Sequence, residues 1–466
     1  MEQLENFFGL KEKGTTVGTE VRAGTTTFMT MAYIAVVQPL IMSACGMPWN
    51  AVFAMTVLFS GLATIFMGLK ANFPFAIAPG MGTNAIFAFS IVNAGAAGWE
   101  TALGMIFWAG MGIVIFSIRF LKWTKWLGAP EKVYNLCIRE SVVKSIPSGL
   151  QIGFGAAIGA FLLSLGLGPN GIGLVRSWDA ANGPVMTSVS DPNIIVGLVG
   201  IAACAIMFFL KGKKFNVRGA ILICILAVTA VLMLLGLAPL PAGVFSLPSD
   251  IGEIAFKLDI SGALKPQYVP FILVFFLNDI FSTTGTALSC VGKSGLNKDG
   301  KFDKWNEIFF VDALAAPAGA VFGLTTPTCY VESAAGVADG GKTGLASVTT
   351  GVLFLLTMFL SPIFISIPAV ATGVALVIVG LVMFSSLAEV DLTDVTISVP
   401  LGLMIFTTLI VNDFASAMCI GLAVWVLMAA FCRFALKQKE HLANRGTQIM
   451  AAVMLVMSVL KLIFTI

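Results

Sequence analysis

A carboxylate in an apolar part of the chain is the first candidate for chemistry. Glu332 ends the stretch 325–332, which also holds Pro327 and three threonines and lies between two strongly apolar runs. A charge at membrane depth costs about 3 kcal/mol on insertion scales, so such a residue usually has a function. Proline lacks a backbone donor and has a fixed φ, so it breaks or opens a helix. We therefore expect an extended piece ending at Pro327, then a short helix whose first turn carries Tyr330 to Glu332.

A similar interruption occurs in the first half of the chain. Pro79 lies among small residues in the stretch 75–85, and Asn84 follows it by five residues, as Glu332 follows Pro327. Interrupted segments at matching places in two halves indicate the binding site of a secondary transporter. Irregular backbone is tolerated at membrane depth only where protein or a watery cavity satisfies it.

Composition restricts the class of protein. The chain has 466 residues, of which 58% are hydrophobic and 11% charged, whereas soluble proteins are about 45–50% apolar and about 25% charged. It is therefore predicted to be a polytopic membrane protein. The net charge of +3 gives no argument for a nucleic-acid partner. The eight cysteines are scattered without a CxxC pair, so neither a disulfide framework nor a zinc site is expected, and we expect no cofactor.

Fourteen apolar runs predict an all-α membrane protein with fourteen spanning segments. They cover 25–44, 51–69, 75–93, 101–120, 146–166, 193–210, 218–238, 268–290, 308–323, 328–340, 345–366, 369–386, 396–411 and 414–432. Most of the 27 lysines and arginines then fall on one side, which places both ends of this part in the cytoplasm. Because seven is odd, the second seven segments enter from the opposite face, as in a 7+7 inverted repeat with half-helices in segments 3 and 10.

Two further acids lie within apolar surroundings. Asp279 follows the wholly apolar run 273–277, near the middle of the membrane, and is either functional or a structural acid held by hydroxyls. Asp312 either joins a proton network or braces the broken helices. Asn84 either contacts a ligand, caps its half-helix or pairs with Glu332.

Carboxylates in such a place have two uses. A carboxylate accepts two parallel N–H donors from a planar heterocycle, which gives orientation as well as affinity. A buried acid can also exchange a proton, so that one acid holds the ligand while another follows proton occupancy. His441, the only histidine, lies in a polar tail, which excludes an imidazole proton relay within the membrane.

Enzyme motifs give no competing interpretation. The stretch 336–343 satisfies GxxxxGK[ST], but a phosphate loop must follow a buried strand and open a helix in an α/β unit, and no such unit is predicted here. Lys342 is better explained as an inner-face anchor. HExxH and GxSxG sequences are absent from the chain, so we do not expect an enzyme.

The chain resembles the AzgA-like purine nucleobase permeases, which are related to the uracil permeases and nucleobase–ascorbate transporters. The matching stretches are 24–33, 78–85 and 330–345, in the family's order, and the similarity covers residues 1–435. This resemblance implies a core domain and a gate domain that move against each other, proton symport and often a homodimer. The core would comprise 15–130 and 266–367, the gate 140–240 and 368–435, with an extra hydrophobic segment at 447–466.

The resemblance also implies ligand positions at Asn84, Asp279 and Glu332. We accordingly expect an importer of adenine, guanine or hypoxanthine in the cell membrane, with the base anchored by Glu332. The other expected contacts are Thr328, in the same interrupted stretch, and Phe87 or Phe281, which would stack on the ring. Proton coupling is expected to involve Asp279, Glu332 and Asp312.

One departure from the family pattern keeps alternatives open. Ser282 stands where the family commonly has an acid, in Phe281-Ser282-Thr283. Proton coupling and the identity of the base are therefore in question. The alternatives are a uracil or xanthine permease, a facilitated-diffusion carrier, and an anion transporter or channel of the same fold.

Overall fold

The computed structural model describes residues 2–117, 147–169, 171–179, 183–209, 219–248, 250–294, 304–411 and 414–434, with four isolated residues between 452 and 459. The predicted extra segment 447–466 lies almost wholly outside these ranges, as do the links 118–146 and 435–446. Within the described residues the chain is mainly α-helical.

The helices before the middle of the chain are α1 Glu2–Phe8, α2 Val17–Met31, α3 Ile34–Ser43, α4 Trp49–Ala71, α5 Met81–Ala85, α6 Trp99–Ser117, α7 Ser148–Leu167, α8 Pro192–Phe209 and α9 Ala220–Leu234. Those after it are α10 Val269–Ser294, α11 Trp305–Val321, α12 Ser333–Ala338, α13 Gly344–Thr357, α14 Ser361–Ile365, α15 Ala369–Phe384, α16 Val395–Val411 and α17 Phe414–Phe434. A π-helix, Ile86–Val92, continues α5.

Two short antiparallel sheets accompany the helices. Strand β1 (Ile77–Pro79) pairs with β4 (Pro327–Cys329), although the two are far apart in sequence. Strands β2 (Val175–Asp179) and β3 (Gly183–Met186) form a local hairpin. This hairpin lies between the predicted spanning segments 146–166 and 193–210.

The apolar runs give the positions of the helices well. Four helices of the described chain are long and apolar enough to cross a membrane: Val17–Ser43, Trp49–Ala71, Gly344–Ile365 and Ala415–Phe434. Shorter apolar helices occupy eight of the other ten predicted segments in the described chain, all but 308–323 and 328–340. Segments 3 and 10 are interrupted as expected, each by a strand followed by a short helix.

Two details differ from expectation. The short helix after Pro327 begins at Ser333, not at Tyr330. The reason is that the Tyr330 amide donates to Ala76 O at 3.0 Å and so prolongs the strand pairing. The first segment also contains a local irregularity that was not predicted: α2 ends at Met31 and α3 begins at Ile34, while Ala32 and Tyr33 between them keep right-handed helical angles.

The helices pack in two groups. In the first, α4 contacts α3, α11, α13 and β1, while α2 packs on α12 and α13, and α6 packs on α10 and α11. In the second, α7 packs on α15 and α16, α15 also contacts α8 and α9, and α16 packs on α17. The groups meet mainly where α7 contacts α10, where α17 contacts the π-helix after α5, and where α9 contacts α2.

Small residues allow close backbone approach in the first group. A Cβ atom at Gly24 of α2 would lie 2.3 Å from the carbonyl oxygen of Ala346 in α13. A Cβ atom at Gly344 would lie 1.8 Å from the carbonyl oxygen of Gly68 in α4. Helices at membrane depth associate through such contacts, because lipid removes the hydrophobic drive between them.

We predict that Gly24→Ala destabilises the protein. The added methyl group overlaps backbone that cannot move without shifting α13, and overpacking of this kind costs about 1–3 kcal/mol. The thermal unfolding temperature of the purified protein in detergent should fall. Gly18→Ala is the matched control, since Gly18 is exposed in the same helix with no atom within 4 Å of its Cβ position. Equal unfolding temperatures for both variants would contradict the packing argument.

Candidate functional site

The pairing of β1 with β4 is the centre of the candidate site. Ile77 pairs with Cys329, Ala78 with Thr328 and Pro79 with Pro327. The pairing is extended by Gly80, whose amide donates to Thr326 O at 3.0 Å. All six strand residues are buried. Each break thus supplies hydrogen-bond partners to the other, which is the condition for irregular backbone within a membrane.

The two half-helices leave this pair in opposite directions. Helix α5 follows β1 and α12 follows β4, and the strands are antiparallel. Both helix N-termini therefore lie near the paired strands, and both chains run outwards from them. This is the arrangement that half-helices of transporters use around a central binding site.

Glu332 lies at the start of α12. It is the N-cap residue and has helical backbone angles, and its side chain makes no capping hydrogen bond to the described residues. The side chain is partly exposed, whereas the adjoining Ser333 is buried. Its Oε1 accepts a hydrogen bond of 2.7 Å from the hydroxyl of Tyr33. The carboxylate is therefore accessible and held from one side.

Asn84 has a different environment from Glu332. It is 0% exposed, its amide nitrogen donates to Gln38 Oε1, and its Oδ1 accepts from the Thr325 hydroxyl. Gln38 in turn donates to Thr325 Oγ1 at 3.4 Å. The side chain of Asn84 therefore bonds neither to Glu332 nor to the backbone of its own half-helix, although the sulfur of Met81 is a further acceptor for its amide nitrogen at 3.8 Å. Its bonds to Gln38 and Thr325 join the first span to both interrupted segments.

Helix α10 brings Asp279 to the same region. Asp279 is 1% exposed, and α10 packs against α5, β4 and α12. The preceding Asn278 faces the half-helix directly, since a Cβ atom at Gly82 would lie 2.9 Å from its Oδ1. The side chain of Phe281 is outside the described residues. Ser282, at the position of the family acid, is partly exposed.

Asp312 is linked to the strand pair through Thr283. The Thr283 hydroxyl donates to Asp312 Oδ1 at 2.7 Å and lies 2.5 Å from the Thr328 hydroxyl. All three side chains are buried. These hydrogen bonds connect α11, α10 and β4, so they stabilise the second interrupted segment. They also form a continuous series of hydroxyl and carboxyl groups. Phe87, within the π-helix, is 0% exposed.

The end of the second interrupted segment, at Lys342 and Thr343, is held by residues that the sequence did not single out. The carboxylate of Glu20 is buried and accepts from the backbone amides of Lys342 at 2.9 Å and Thr343 at 3.2 Å. Lys13 donates to the carbonyl oxygens of Asn72 at 2.9 Å and Lys342 at 3.4 Å. The amides of Lys342 and Thr343 belong to the stretch 336–343, which has the phosphate-loop pattern. Because they already bind the Glu20 carboxylate, phosphate binding there is disfavoured.

Four further polar residues of the site were missed: Tyr33, Gln38, Thr283 and Thr325. Tyr33 and Gln38 are polar residues of the apolar first span, and this was the signal available in the sequence. Their importance depends on hydrogen bonds to residues about 40 to 300 positions away, which a single sequence does not reveal.

Comparison with known proteins now identifies the family. A model of the permease family, Xan_ur_permease, matches residues 18–412. The chain belongs to this family. Adenine permease AdeQ of Escherichia coli is 36% identical over 422 residues, which cover 90% of this chain and 88% of the relative. Guanine/hypoxanthine permease PbuO of Bacillus subtilis is 32% identical over 430 residues, covering 91% and 94%. The resemblance to purine permeases of the nucleobase–ascorbate and uracil permease superfamily is thereby confirmed.

Solved structures of low sequence identity share the fold of this permease. The transmembrane domain of a cyanobacterium bicarbonate transporter, BicA, has a TM-score of 0.56 at 15% identity, covering 86% of this chain and 97% of that one. Murine Slc26a9, an anion transporter in the inward-facing state, has a TM-score of 0.59 at 13% identity, covering 89% and 68%. The permease is therefore an integral membrane protein with a transporter fold.

We predict that Thr325→Val destabilises the permease. The substitution keeps the shape of a side chain that is 0% exposed but leaves Asn84 and Gln38 each short of a partner. An unsatisfied buried polar group costs about 1–3 kcal/mol, so the unfolding temperature in detergent should fall.

Thr56→Val is the matched control for this substitution. Thr56 is also 0% exposed, but its hydroxyl has no hydrogen-bond partner among the described residues. Removing that hydroxyl should leave the unfolding temperature unchanged or raise it. A fall in both variants of the same size would show that the network of Thr325 carries no special stability.

Proposed function

We propose that this permease imports purine nucleobases across the cell membrane by proton symport. The observation that carries the proposal is the position of Glu332. A partly exposed carboxylate lies at the start of a half-helix, beside two interrupted segments that pair with each other. A carboxylate there accepts N–H groups from a planar base, while the hydroxyl of Tyr33 holds it from the other side.

The relatives support purines as the substrate class. They are named as an adenine permease and a guanine/hypoxanthine permease, and each is similar to this chain over about 90% of its length. Adenine, guanine and hypoxanthine all present N–H donors to an acceptor. Thr328, Phe87 and Phe281 remain proposed contacts for the base, and Asn84 is proposed to act on the site through its bonds to Gln38 and Thr325. A uracil or xanthine permease is the alternative.

Anion transport on the same fold is a second candidate, because two structural relatives are named as bicarbonate and anion transporters. The charges of this chain disfavour it. Glu332 occupies the start of α12, where an anion would otherwise meet unpaired N–H groups, and Asp279 is buried on the adjacent helix α10. Two carboxyl groups in this region would repel an anion unless both were protonated.

Movement of one helix group against the other would provide alternating access. In this proposal the core is the first helix group, which contains α4 and both interrupted segments. The gate is the second helix group, which contains α7 and α15. The limited packing between the two groups supports this division. Both ends of the fourteen-segment part are proposed to be cytoplasmic, and a homodimer is the proposed assembly.

Proton coupling is assigned to Asp279, with Asp312 and Glu332 as further members of the acid set. Asp279 is buried near the middle of α10, one turn from Thr283. The Thr283 hydroxyl in turn donates a hydrogen bond to Asp312. Because Ser282 cannot ionise, Asp279 is the acid on this helix turn that remains to track proton occupancy.

We predict that Glu332→Gln abolishes uptake of radiolabelled adenine, guanine and hypoxanthine without loss of protein from the membrane. Glutamine keeps one oxygen acceptor, which loses its charge, and presents an N–H donor in place of the other, which opposes an N–H group of the base. Because a hydrogen bond to a charged group contributes about 1.5–3 kcal/mol, uptake should fall by about a hundredfold or more. Glu253→Gln is the control, since Glu253 is an exposed acid of an outer loop. Normal uptake by Glu332→Gln would remove this residue from the site.

We predict that Asp279→Asn separates transport from proton coupling. In proteoliposomes, an inward proton gradient should stimulate base uptake by the wild-type permease, and a protonophore should cancel the stimulation. The asparagine variant should exchange internal for external base at a measurable rate but show no stimulation by the gradient. If the wild type is indifferent to the gradient, facilitated diffusion replaces symport; if the variant still responds to it, Asp279 is not the coupling acid.

A further inference from the structure

The irregular turn in the first span has a specific consequence for the site. Helix α2 ends at Met31 and α3 begins at Ile34, and Tyr33 lies in the turn of right-handed helical angles that joins them. Its ring is 2% exposed and is one of the largest fully enclosed side chains of the protein. From there the hydroxyl reaches Glu332 on the second interrupted segment. The first span therefore meets both interrupted segments at the candidate site, with Tyr33 bonded to one of them.

The hydrogen bond joins a rigid partner to a flexible one. Tyr33 has two side-chain torsions, and its ring is enclosed on all sides by protein. Glu332 has three torsions, is partly exposed, and makes no capping bond to the described residues that would fix it. A free carboxylate of this kind loses conformational entropy when it binds a ligand. The 2.7 Å bond to Oε1 removes much of that freedom in advance.

The direction of the bond also determines what the pair can recognise. The hydroxyl proton of Tyr33 is directed at Glu332 Oε1, so the phenol oxygen is left with acceptor capacity only. The ionised carboxylate is likewise an acceptor only. Together the two side chains present oxygen acceptors to a ligand, which suits N–H groups of a neutral heterocycle and does not suit an anion.

We propose that Tyr33 is the positioning residue of the purine site: its hydroxyl holds Glu332 Oε1 so that the carboxylate meets the N–H edge of the base in a fixed orientation. This role rests on the proposed function of the permease. It assigns to the first span a direct part in substrate affinity, because the span supplies the group that preorganises the acceptor.

Tyr33→Phe tests the role, because it removes the hydroxyl and keeps the buried ring. The cost of ordering the Glu332 carboxylate is then incurred on binding, so the KM for adenine, guanine or hypoxanthine should rise about three- to tenfold, while the maximal rate per molecule changes little. Tyr268→Phe is the matched control: Tyr268 is 8% exposed and its hydroxyl donates to a backbone carbonyl, that of Ala96, at 3.3 Å. Its KM should equal that of the wild type.

A double-mutant cycle separates positioning from general stability. Glu332→Asp shortens the acid by one methylene group and withdraws it from the Tyr33 hydroxyl, so uptake should be weaker but measurable. Adding Tyr33→Phe to this variant should raise KM far less than it does in the wild type, since the bond is already lost. A merely structural role for Tyr33 would lower the unfolding temperature and the maximal rate equally in both backgrounds.

The outcomes distinguish this inference from the function on which it rests. If wild-type vesicles show no saturable uptake of any purine base, both the function and the positioning role are overturned. If wild-type uptake is saturable and Tyr33→Phe has an unchanged KM, or equal effects in both backgrounds, the positioning role alone is overturned. Measurement of the amount of each variant in the membrane and of its unfolding temperature ensures that KM values are compared among folded proteins.

Discussion

The hydrogen-bonded pairing of β1 with β4 is the constraint on which the rest of the structure depends. Two chain segments that lack helical hydrogen bonds would be costly within a membrane, and here each satisfies the other. The pairing fixes Pro79 opposite Pro327 and thereby sets where the two half-helices begin. The helices α4, α10 and α11 pack around the pair and exclude lipid from it. The site is thus a product of this long-range contact and not of either segment alone.

The polar residues around the pair have divided roles. The Gln38–Asn84–Thr325 network and the Thr283–Asp312–Thr328 chain are buried, and they connect separate spans. Glu332 differs because it is partly exposed and is held by a single side-chain partner among the described residues, Tyr33. Buried side chains whose hydrogen bonds are satisfied thus surround one accessible acceptor. This arrangement is expected at a site that must bind its ligand in one orientation.

Much of the fold could be predicted from the sequence, because long apolar runs and prolines act locally. The helices follow the predicted spans, and both breaks occur at Pro79 and Pro327. The start of α12 was misplaced because the Tyr330 amide bonds to Ala76, more than 250 residues away. The irregular turn at Ala32 and Tyr33 was not predicted, although Pro39 lies within the helix that follows it. The importance of Tyr33 and Gln38 likewise depends on partners that only the folded chain brings together.

The proposed substrate is a neutral base, whereas the structural relatives are named as transporters of anions. The negative charge at the half-helices, and not the fold, accounts for this difference. Those relatives are named as bicarbonate and anion transporters, so the same architecture serves anions. A helix start with unpaired N–H groups attracts negative charge. In this chain Glu332 already occupies that position, and the Tyr33 proton is directed to it rather than to a ligand. The region is left with oxygen acceptors, for which a neutral base rich in N–H groups is the complementary ligand.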